Sequence, residues 1–380
     1  MPEEPIVRRL KIRNLLSFRS AAIDLRGLNV LIGPNGSGKT NLVEVLGLLQ
    51  NAPGDLARTI SKGGPIEEWL WKGAEESPTA SIEASISKPP EPAPLRYFLE
   101  FAKVGFRFEI TGEEIEVDTD GAIGFEMEFG RGTQAGGGVP RDFNPRLSIL
   151  AQRKDPEHYP KITYLGDQFS NFRLYRDWEF GGVSDIRGPC DASLPNQHLA
   201  EDGSNLSVVL DRLLARPPVK NQILEYLRLF NENAADLRTS IEGGMVQTRL
   251  EEKHLNATIP LVRLSDGTIR WLALLTILLN PDPPPLVCIE EPELGLHPDM
   301  IHELGKLLID ASTRMQLIVA THSDRLIEEF TETPESVVVC EKRDGASQFR
   351  RLDARDLAAW LDRYSLGQLW TKGQIGGTRW

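Results

Sequence analysis

The hydrophobic pattern at the start of the chain predicts two strands, a glycine-rich turn and an amphipathic helix in direct succession. Residues 28–32 (LNVLI) form a short apolar run of the kind that a buried strand requires. Past the glycines, apolar residues recur on one helical face at Leu42, Val45, Leu46 and Leu49. The pattern is therefore strand, glycine loop, helix.

The middle of the chain alternates between apolar and polar residues first and then changes to helical spacing. The stretches RYFLEFAKVGFRFEITGEEIEV and GFEMEF alternate, which predicts an antiparallel meander. Helical spacing prevails from about Leu147 to Phe230, interrupted by a Gly/Pro-rich stretch at 181–195. SIEGGMVQTRLEEK predicts a hairpin that turns at Gly243-Gly244. From Arg263 to Cys340 the order is turn, helix, buried strand, helix, buried strand, which is typical of a parallel α/β sheet. The predicted fold class is thus α/β.

Composition and charge narrow the class of protein. The chain has 380 residues, of which 40% are hydrophobic and 26% charged, as in folded soluble proteins. Its formal net charge of −12 makes it a poor non-specific polyanion binder, because phosphate contacts need clustered cations. Cys190, Cys288 and Cys340 lie far apart, which argues against a zinc site or a disulfide framework. The longest apolar run, 272–279, is too short to cross a bilayer, so we expect a reduced, soluble, cytoplasmic protein with no membrane partner.

The glycine loop carries the clearest chemical signal. Residues 33–40 read GPNGSGKT and satisfy the pattern GxxxxGK[ST] of a phosphate-binding loop, or P-loop. Its glycines let backbone amides converge on phosphate oxygens, Lys39 supplies a cation, and the Thr40 hydroxyl can ligate Mg²⁺. The strand before it and the helix after it make a chance glycine turn the weaker interpretation. The predicted nucleotide-binding residues of this loop are Asn35, Gly36, Ser37, Gly38, Lys39 and Thr40.

Two acidic residues end an apolar strand further along the chain. In LVCIEE the carboxylates of Glu290 and Glu291 fall at the carboxyl edge of the predicted sheet. There one acid can hold Mg²⁺ and the next can orient or deprotonate an attacking water. Strands also end in solvated acids that have no catalytic role. The catalytic interpretation of Glu290 and Glu291 is favoured because a P-loop lies upstream in the same chain.

Two weaker signals complete the set. Residues 264–268 (LSDGT) precede the helix IRWLALLTILL, and Ser265 or Asp266 taken alone is typical of a helix N-cap. The buried strand in QLIVATHS ends at His322, and a lone histidine at a strand end is more often structural than functional.

In this order GPNGSGKTNLVE, LSDGT, IEEPELGLHP and THS resemble the motifs of the ABC-type ATPases within the AAA clan. The most similar branch is that of the soluble RecF, structural-maintenance-of-chromosomes (SMC) and OLD-like heads. The resemblance covers the segment through Thr40 and residues 263–340 firmly, and the middle loosely. It implies a P-loop NTPase head with a mixed or parallel core sheet, an antiparallel β subdomain and a helical insert. The implied segments are an ATP-binding lobe (1–145), a helical insert with a hairpin (146–262), and a lobe with the signature, Walker B, D-loop (293–298) and switch histidine (263–380).

The resemblance also implies a role for each motif residue. Glu290 takes the metal-side position of Walker B, and Glu291 takes that of the catalytic base. His322 matches the switch histidine that senses the γ-phosphate, and Lys39 is the third catalytic residue. Ser265 and Gly267 match the signature, which in this clan contacts ATP bound to the other subunit. The implied cofactors are ATP and Mg²⁺, and the implied state is an ATP-dependent homodimer.

Three positions depart from the usual pattern of the clan. The signature reads LSDGT rather than LSGGQ, so the Asp266 side chain should point away from phosphate or cap the helix. Walker B carries Glu290 where aspartate is commoner. The metal-side glutamine of the Q-loop is not obvious. We take Gln152 over Gln168, which falls in a predicted helix, and a solvated surface glutamine is an equal alternative for both.

These observations favour a Mg²⁺-dependent ATP hydrolase that acts as an ATP-gated dimeric clamp in DNA repair, genome maintenance or defence, with a separate effector protein. The alternatives are a nucleotide-binding scaffold with little turnover and, less in keeping with soluble-type motifs, a transporter ATPase subunit. DNA binding is not indicated by the acidic charge, and the basic clusters at 8–13, Arg173-Arg176 and Arg350-Arg351 are more typical of solvated faces. Trp370 and Trp380 flank a glycine-containing tail that either anchors on the body or a partner or is disordered.

Overall fold

The computed structural model describes residues 4–74, 78–117, 123–128, 131–134, 141–142, 144–176 and 184–377. The chain divides into two compact units that interleave along the sequence. The terminal unit comprises Pro2–Phe172, Thr333–Tyr364 and Leu369–Trp380, and the central unit comprises Arg173–Glu332 and Ser365–Gln368. The domain segments 1–145, 146–262 and 263–380 stay a prediction.

Strands occur in both units. In chain order they are β1 (Val7–Leu15), β2 (Phe18–Asp24), β3 (Leu28–Ile32), β4 (Ala80–Lys88), β5 (Glu91–Val104), β6 (Arg107–Val117), β7 (Ile123–Glu128), β8 (Arg131–Gln134), β9 (Arg141–Asp142), β10 (Arg173–Tyr175), β11 (Cys190–Asp191), β12 (Ala234–Glu242), β13 (Met245–Glu252), β14 (Ile259–Pro260), β15 (Leu286–Glu290), β16 (Gln316–Ala320), β17 (Val337–Arg343) and β18 (Ala346–Arg351).

Most helices lie between these strands. In chain order they are α1 (Lys39–Asn51), α2 (Leu56–Lys62), α3 (Ile66–Trp69), α4 (Ile149–Gln152), α5 (Pro160–Ser170), α6 (Leu206–Leu214), α7 (Pro217–Phe230), α8 (Asp266–Leu278), α9 (Pro298–Ala311), α10 (Asp324–Glu328), α11 (Ala354–Leu361) and α12 (Leu366–Thr371). In the described part of the chain, none of them has the length and apolar character that a membrane span needs.

The terminal unit contains an antiparallel sheet whose strands follow the order β2-β1-β4-β5-β6-β7-β8-β9. Alternation in β4 puts its apolar side chains on one buried face, and β5, β6 and β7 pair as neighbouring antiparallel strands. The predicted meander is therefore confirmed. In the same unit β3 pairs parallel with β17, and β17 pairs antiparallel with β18.

The buried strand, glycine loop and helix predicted for residues 28–49 are confirmed. The start of the chain has three strands, β1, β2 and β3, where the pattern predicted two. Every residue of β3 is buried. The chain leaves β3 through the glycine loop and enters α1, which buries Leu42, Val45, Leu46 and Leu49. The apolar face of α1 therefore holds the helix against its unit, and the loop is fixed at both of its ends.

The central unit contains three parallel strands in the order β10-β15-β16. The register pairs Glu290, the last residue of β15, with Ala320, the last residue of β16. Both strands therefore deliver the residues that follow them to the same edge of the sheet. The helix α8 is apolar almost all round and correspondingly buried, and Trp271 donates its indole N–H to the Tyr226 carbonyl at 3.1 Å.

The central unit also contains the predicted hairpin. β12 and β13 pair up to Glu242 and Met245, with Gly243 and Gly244 in the turn at φ values of 57° and 82°. Left-handed backbone at both turn residues explains the two glycines. The segment predicted as helical also holds β10, and β11 lies in the Gly/Pro-rich stretch that interrupts it. The pattern missed both because strands of three and two residues are too short to show a period.

Candidate functional site

The glycines of the P-loop are required by the backbone and by close packing. Gly33, Gly36 and Gly38 have φ values of 149°, 74° and 107°. A Cβ on Gly33 would lie 2.2 Å from the Cys340 carbonyl oxygen, and a Cβ on Gly38 would lie 2.5 Å from Ser347 Oγ. Gly36 has open space around it, so only its left-handed backbone demands glycine there.

Two polar side chains of the loop are buried. Lys39, 7% exposed, donates from Nζ to the carbonyl oxygens of Gly33 at 2.7 Å and Pro34 at 3.2 Å. Ser37 is 2% exposed, and within the described residues its Oγ has no hydrogen-bond partner. A buried hydroxyl of this kind and a buried ammonium on neutral carbonyls are groups that an anionic ligand can satisfy.

The remaining predicted residues of the loop lie where a ligand can reach them. Asn35, Gly36 and Thr40 are exposed. The helix α1 begins after Gly38, has no side-chain cap and carries no acid in its first turn. The N–H groups at this helix end therefore favour an anion, and the donor set suits phosphate.

The acidic turn of the central unit begins where β15 ends. Glu290 has a side chain 16% exposed, and its Oε2 lies 3.9 Å from Arg176 Nε. Glu291 has a left-handed backbone with φ 47°, and its N–H donates to the Ala320 carbonyl at 2.8 Å. A non-glycine residue in this region is uncommon and tends to occur at functional sites. The turn gives the two acids different exposures, because the Glu291 side chain is 42% exposed whereas that of Glu290 is largely buried.

His322 lies beside the second acid of this turn. Its Nε2 is 3.9 Å from Glu291 Oε1, and its side chain is 36% exposed. The parallel pairing of β15 and β16 explains the juxtaposition, because both residues follow the same edge of the sheet. The structure therefore places Glu290, Glu291 and His322 at the same edge of the parallel strands.

Glu293 links the acidic turn to the strand that precedes His322. Its Oε1 accepts hydrogen bonds from Thr321 Oγ1 at 2.5 Å and from the His322 N–H at 3.4 Å. Its Oε2 is buried and, among the residues that the structure describes, without a hydrogen-bond partner. Burial raises the pKa of Glu293 above its usual value, against the lowering effect of these hydrogen bonds. The sequence placed Glu293 in the D-loop but gave no sign of this contact.

The signature residues lie at the start of α8. Ser265 is the N-cap, and its Oγ accepts from the Thr268 N–H at 3.2 Å. The Asp266 carboxylate forms an ion pair with Arg187, which is nearly buried and also donates to the Leu264 carbonyl at 2.8 Å. Asp266 is therefore neutralised by a cation 79 residues away, while Ser265 caps the helix.

The signature helix contacts the acidic turn within the central unit. A Cβ on Gly267 would lie 2.9 Å from the Gly295 carbonyl oxygen, which explains why this position is glycine. Arg270, one turn further on, donates from Nη1 to the Glu291 carbonyl at 3.3 Å. Arg176 and Arg270 are thus two cations beside the acids, and the sequence did not predict either of them. The pair Arg173-Arg176 is more typical of a solvated face, and Arg270 lies inside an apolar helix.

The side chain of Gln152 forms hydrogen bonds with the loop that precedes α4. It ends α4, and its Oε1 accepts from the Asn144 N–H at 3.1 Å. Its Nε2 donates to the carbonyls of Asn144 at 3.2 Å and Leu147 at 2.7 Å. The amide therefore closes the loop that leads into α4, and its role as a metal-side glutamine stays a prediction.

A family model matches most of the chain. Residues 28–328 match the family described as "AAA domain, putative AbiEii toxin, Type IV TA system". The matched range contains the P-loop, the signature, the acidic turn and His322.

Two curated relatives are similar over short segments. The chain is 40% identical over 72 residues to "DNA replication and repair protein RecF" of Rhizobium leguminosarum bv. trifolii, covering 17% of this chain and 19% of that protein. It is 50% identical over 44 residues to "DNA double-strand break repair Rad50 ATPase" of Methanopyrus kandleri, covering 11% of this chain and 5% of that protein. The chain thus spans less than one fifth of the length of the curated relatives it matches.

Solved structures share the fold over nearly the whole chain. An SMC head bound to the C-winged helix domain of ScpA matches 93% of this chain and 100% of its own, with TM-score 0.60 and 14% identity. An SMC head with an extended coiled coil, bound to the C-terminal domain of ScpA derived from Pyrococcus furiosus, matches 95% and 99%, with TM-score 0.57 and 13% identity. The α/β, ABC-type P-loop NTPase fold predicted from the sequence is confirmed by these structures. The chain belongs to the AAA-domain family whose model matches residues 28–328.

Proposed function

We propose that this protein hydrolyses ATP to ADP and phosphate in a Mg²⁺-dependent reaction and works as an ATP-gated dimeric clamp. The observation that carries the proposal is the pairing of Glu291 with His322 at 3.9 Å beyond two parallel strands. Membership of an ATPase family supports nucleoside triphosphate chemistry in general. Turnover, the dimer and the roles of individual residues are parts of the proposal.

The P-loop binds the triphosphate in this proposal. Lys39 exchanges its contacts with the Gly33 and Pro34 carbonyls for β- and γ-phosphate oxygens, and the Ser37 hydroxyl gains a partner. The uncapped N–H groups at the start of α1 add further donors. Each exchange replaces a neutral acceptor by an anionic one, which favours the bound state.

Thr40 and Glu290 are the proposed Mg²⁺ ligands, because a hydroxyl and a carboxylate supply the hard oxygen atoms that this ion prefers. When bound, Mg²⁺ would neutralise charge on the phosphate oxygens. Gln152 is the proposed third metal-side residue. Its hydrogen bonds to Asn144 and Leu147 would have to open first, which makes it the weakest member of the set.

Glu291 is the proposed general base. Its carboxylate accepts a proton from a water molecule, the water oxygen bonds to the γ-phosphorus, and the bond to the bridging oxygen of ADP breaks. The exposed position of Glu291 on a left-handed turn leaves this carboxylate available to water. His322 is proposed to donate a hydrogen bond to a γ-phosphate oxygen and so to report whether that phosphate is present.

The signature residues are proposed to act on a second copy of the chain. A P-loop alone leaves part of the γ-phosphate open, and a helix N-terminus can complete its cage of donors. The start of α8, with Ser265 and Gly267, is such a terminus, and the pairing of Asp266 with Arg187 removes a repulsive charge from it. Hydrolysis would remove the bridging charge and let the two copies separate.

The cellular role is proposed from the class of relatives. The names of two relatives refer to DNA replication and repair and to double-strand break repair, and the family description refers to a toxin–antitoxin system. We therefore propose a role in DNA repair, genome maintenance or defence, with a separate effector protein as partner. The net charge of −12 does not favour DNA binding by this chain itself.

Glu291→Gln tests the proposal directly. The variant should release phosphate about 10²- to 10⁴-fold more slowly, since proton transfer to a base is lost. It should also accumulate as an ATP-bound dimer, measured by light scattering with ATP and Mg²⁺. Glu303→Gln, which removes a surface acid paired with Lys306, is the matched control and should behave as wild type. Unchanged turnover in Glu291→Gln would show that the base lies elsewhere, and a wild-type protein that binds ATP without turnover would instead support the scaffold alternative.

A further inference from the structure

The glycine-containing tail of the chain is anchored on the terminal unit beside the P-loop. Ile375 is 2% exposed, and Gly377 is also buried. A Cβ on Gly377 would lie 3.4 Å from the Cα of Gly33 and 2.9 Å from Val339 Cγ1. The tail is therefore packed against the first glycine of the P-loop at a position where a side chain barely fits. Trp380 lies outside the described residues.

Three side chains hold this part of the tail in place. Glu341, on β17, accepts at Oε1 from the Gly377 N–H at 2.9 Å. Arg350, on β18, donates from Nη2 to the Ile375 carbonyl at 2.6 Å. Trp370, on α12, donates its indole N–H to the Gly377 carbonyl at 3.2 Å. Charged partners make the first two contacts stronger than ordinary hydrogen bonds.

Gly33 is confined by these contacts and connects them to Lys39. A Cβ on Gly33 would lie 2.2 Å from the Cys340 carbonyl oxygen, so this glycine already lies tightly against β17. Its own carbonyl accepts from Lys39 Nζ at 2.7 Å. Gly377 packs on Gly33, and the Gly33 carbonyl accepts from Lys39, so a displacement of the tail would shift Gly33 and with it the contact of the P-loop lysine.

We propose that the segment Leu369–Gly377 is a positioning element for the P-loop, and that its docking and the binding of a nucleoside triphosphate favour each other. Trp370 and Gly377 are its central positioning residues: they act through Gly33 and do not touch the ligand. The inference rests on the proposed binding of triphosphate by the P-loop. Thermodynamic reciprocity makes the coupling measurable in both directions, because the factor by which the docked tail strengthens triphosphate binding equals the factor by which bound triphosphate stabilises the docked tail.

The first measurement compares two glycine substitutions in the full chain. Gly377→Ala adds a Cβ against Gly33 and Val339 at φ 67°, whereas Gly105→Ala adds one at φ 62° with open space around it. Both variants carry similar left-handed strain, so their difference isolates the contacts that the added Cβ makes with Val339 on β17 and with Gly33 of the P-loop. We expect the Kd for a non-hydrolysable ATP analogue with Mg²⁺ to rise about tenfold in Gly377→Ala, within the usual range for coupled sites, and to stay unchanged in Gly105→Ala.

The second measurement follows the tail itself. Trypsin cleavage after the exposed Lys372 removes residues 373–380, which mass spectrometry can quantify. A saturating amount of the same analogue should slow this cleavage in wild type by the same factor of about ten. Trp370→Phe, which removes one N–H donor and keeps a ring, should weaken both effects, while Trp360→Phe at an exposed site should leave both as in wild type.

The outcomes separate this inference from the proposed function. One outcome contradicts the coupling but leaves ATP binding unaffected. In it, wild type binds the analogue, Gly377→Ala binds it as tightly as Gly105→Ala does, and the rate of cleavage after Lys372 does not change when the analogue is added. If wild type does not bind the analogue, both proposals fall. If Gly377→Ala does not fold, Trp370→Phe decides: a rise in Kd together with faster cleavage supports the coupling, and wild-type behaviour in both overturns it.

Discussion

Glu293 accepts a hydrogen bond of 2.5 Å from the Thr321 hydroxyl and so ties the turn after β15 to the end of β16. The two residues flank the pair that the mechanism needs, because Glu291 lies two positions before Glu293 and His322 directly follows Thr321. The separation of base and histidine thus depends on a carboxylate that has no proposed chemical step of its own.

Glu293→Ala should lower kcat by up to about 100-fold, because loss of the contact lets His322 move relative to Glu291 and small misplacements are costly. Glu293→Gln keeps an acceptor for Thr321 and should retain most of the activity. Steady-state phosphate release over a range of ATP concentrations separates kcat from KM. A Glu293→Ala enzyme with normal kcat would contradict a positioning role, as would a Thr321→Val enzyme that behaves as wild type.

Lys39→Ala should weaken ATP binding strongly. A hydrogen bond from a charged donor contributes up to about 3 kcal/mol, which corresponds to about a 150-fold rise in Kd. Titration of the purified variant with a fluorescent ATP analogue measures the effect, and Lys306→Ala at a surface ion pair is the control. Tight binding that survives in Lys39→Ala would rule out the assignment of the P-loop.

Ser265→Arg should block ATP-driven dimerisation and leave ATP binding by the monomer intact. A long cation at the start of α8 obstructs the helix end that is proposed to face the partner's nucleotide, and losing the cap should cost about 1 kcal/mol of stability. Light scattering with ATP and Mg²⁺ gives the dimer fraction, and Thr313→Arg, at an exposed site in the same unit, should dimerise as wild type does. A Ser265→Arg protein that still forms the ATP-dependent dimer would remove the signature from the interface.

Glu113 should give the terminal unit a pH-dependent stability. It is fully buried in β6, where Tyr97 and Ser148 donate to Oε1 and the Ile149 N–H donates to Oε2 at 2.8 Å. Burial raises the pKa of Glu113 to about 7, against the lowering effect of these hydrogen bonds. Because the pKa is higher in the folded than in the unfolded chain, the contribution to stability is greatest below pH 4.5 and is lost as pH rises through about 7.

The corresponding measurement is denaturant unfolding from pH 4.5 to 8. Between these limits the free energy of unfolding of wild type should fall by about 3 kcal/mol relative to Glu113→Gln, which cannot ionise. Glu109→Gln, on the same strand and partly exposed, controls for the loss of one carboxylate elsewhere. Parallel curves for wild type and Glu113→Gln would show that Glu113 stays ionised in the fold.

Local chemistry explains what could be predicted. The order of glycines in residues 33–40, the apolar run of β3 and the spacing of α1 are local properties, and each appears in the structure as the sequence indicates. The same holds for the acids at the end of β15 and the histidine after β16, since both follow short apolar strands of a parallel pair. The family match over residues 28–328 agrees with this prediction, and the order of the motifs along the chain indicates the same class of protein without it.

Partners distant in sequence were decided only by the tertiary structure. Nothing in LSDGT indicates that Asp266 pairs with Arg187, and nothing in the tail indicates that Gly377 packs on Gly33. The sequence favours Gln152 over Gln168 for the metal side only because Gln168 falls in a predicted helix, whereas the fold uses the Gln152 amide to close a loop. Hydrophobic periodicity records which side of an element is buried, but a polar contact is fixed by three-dimensional packing, so the sequence determined the elements and their chemistry while the fold determined which distant groups meet.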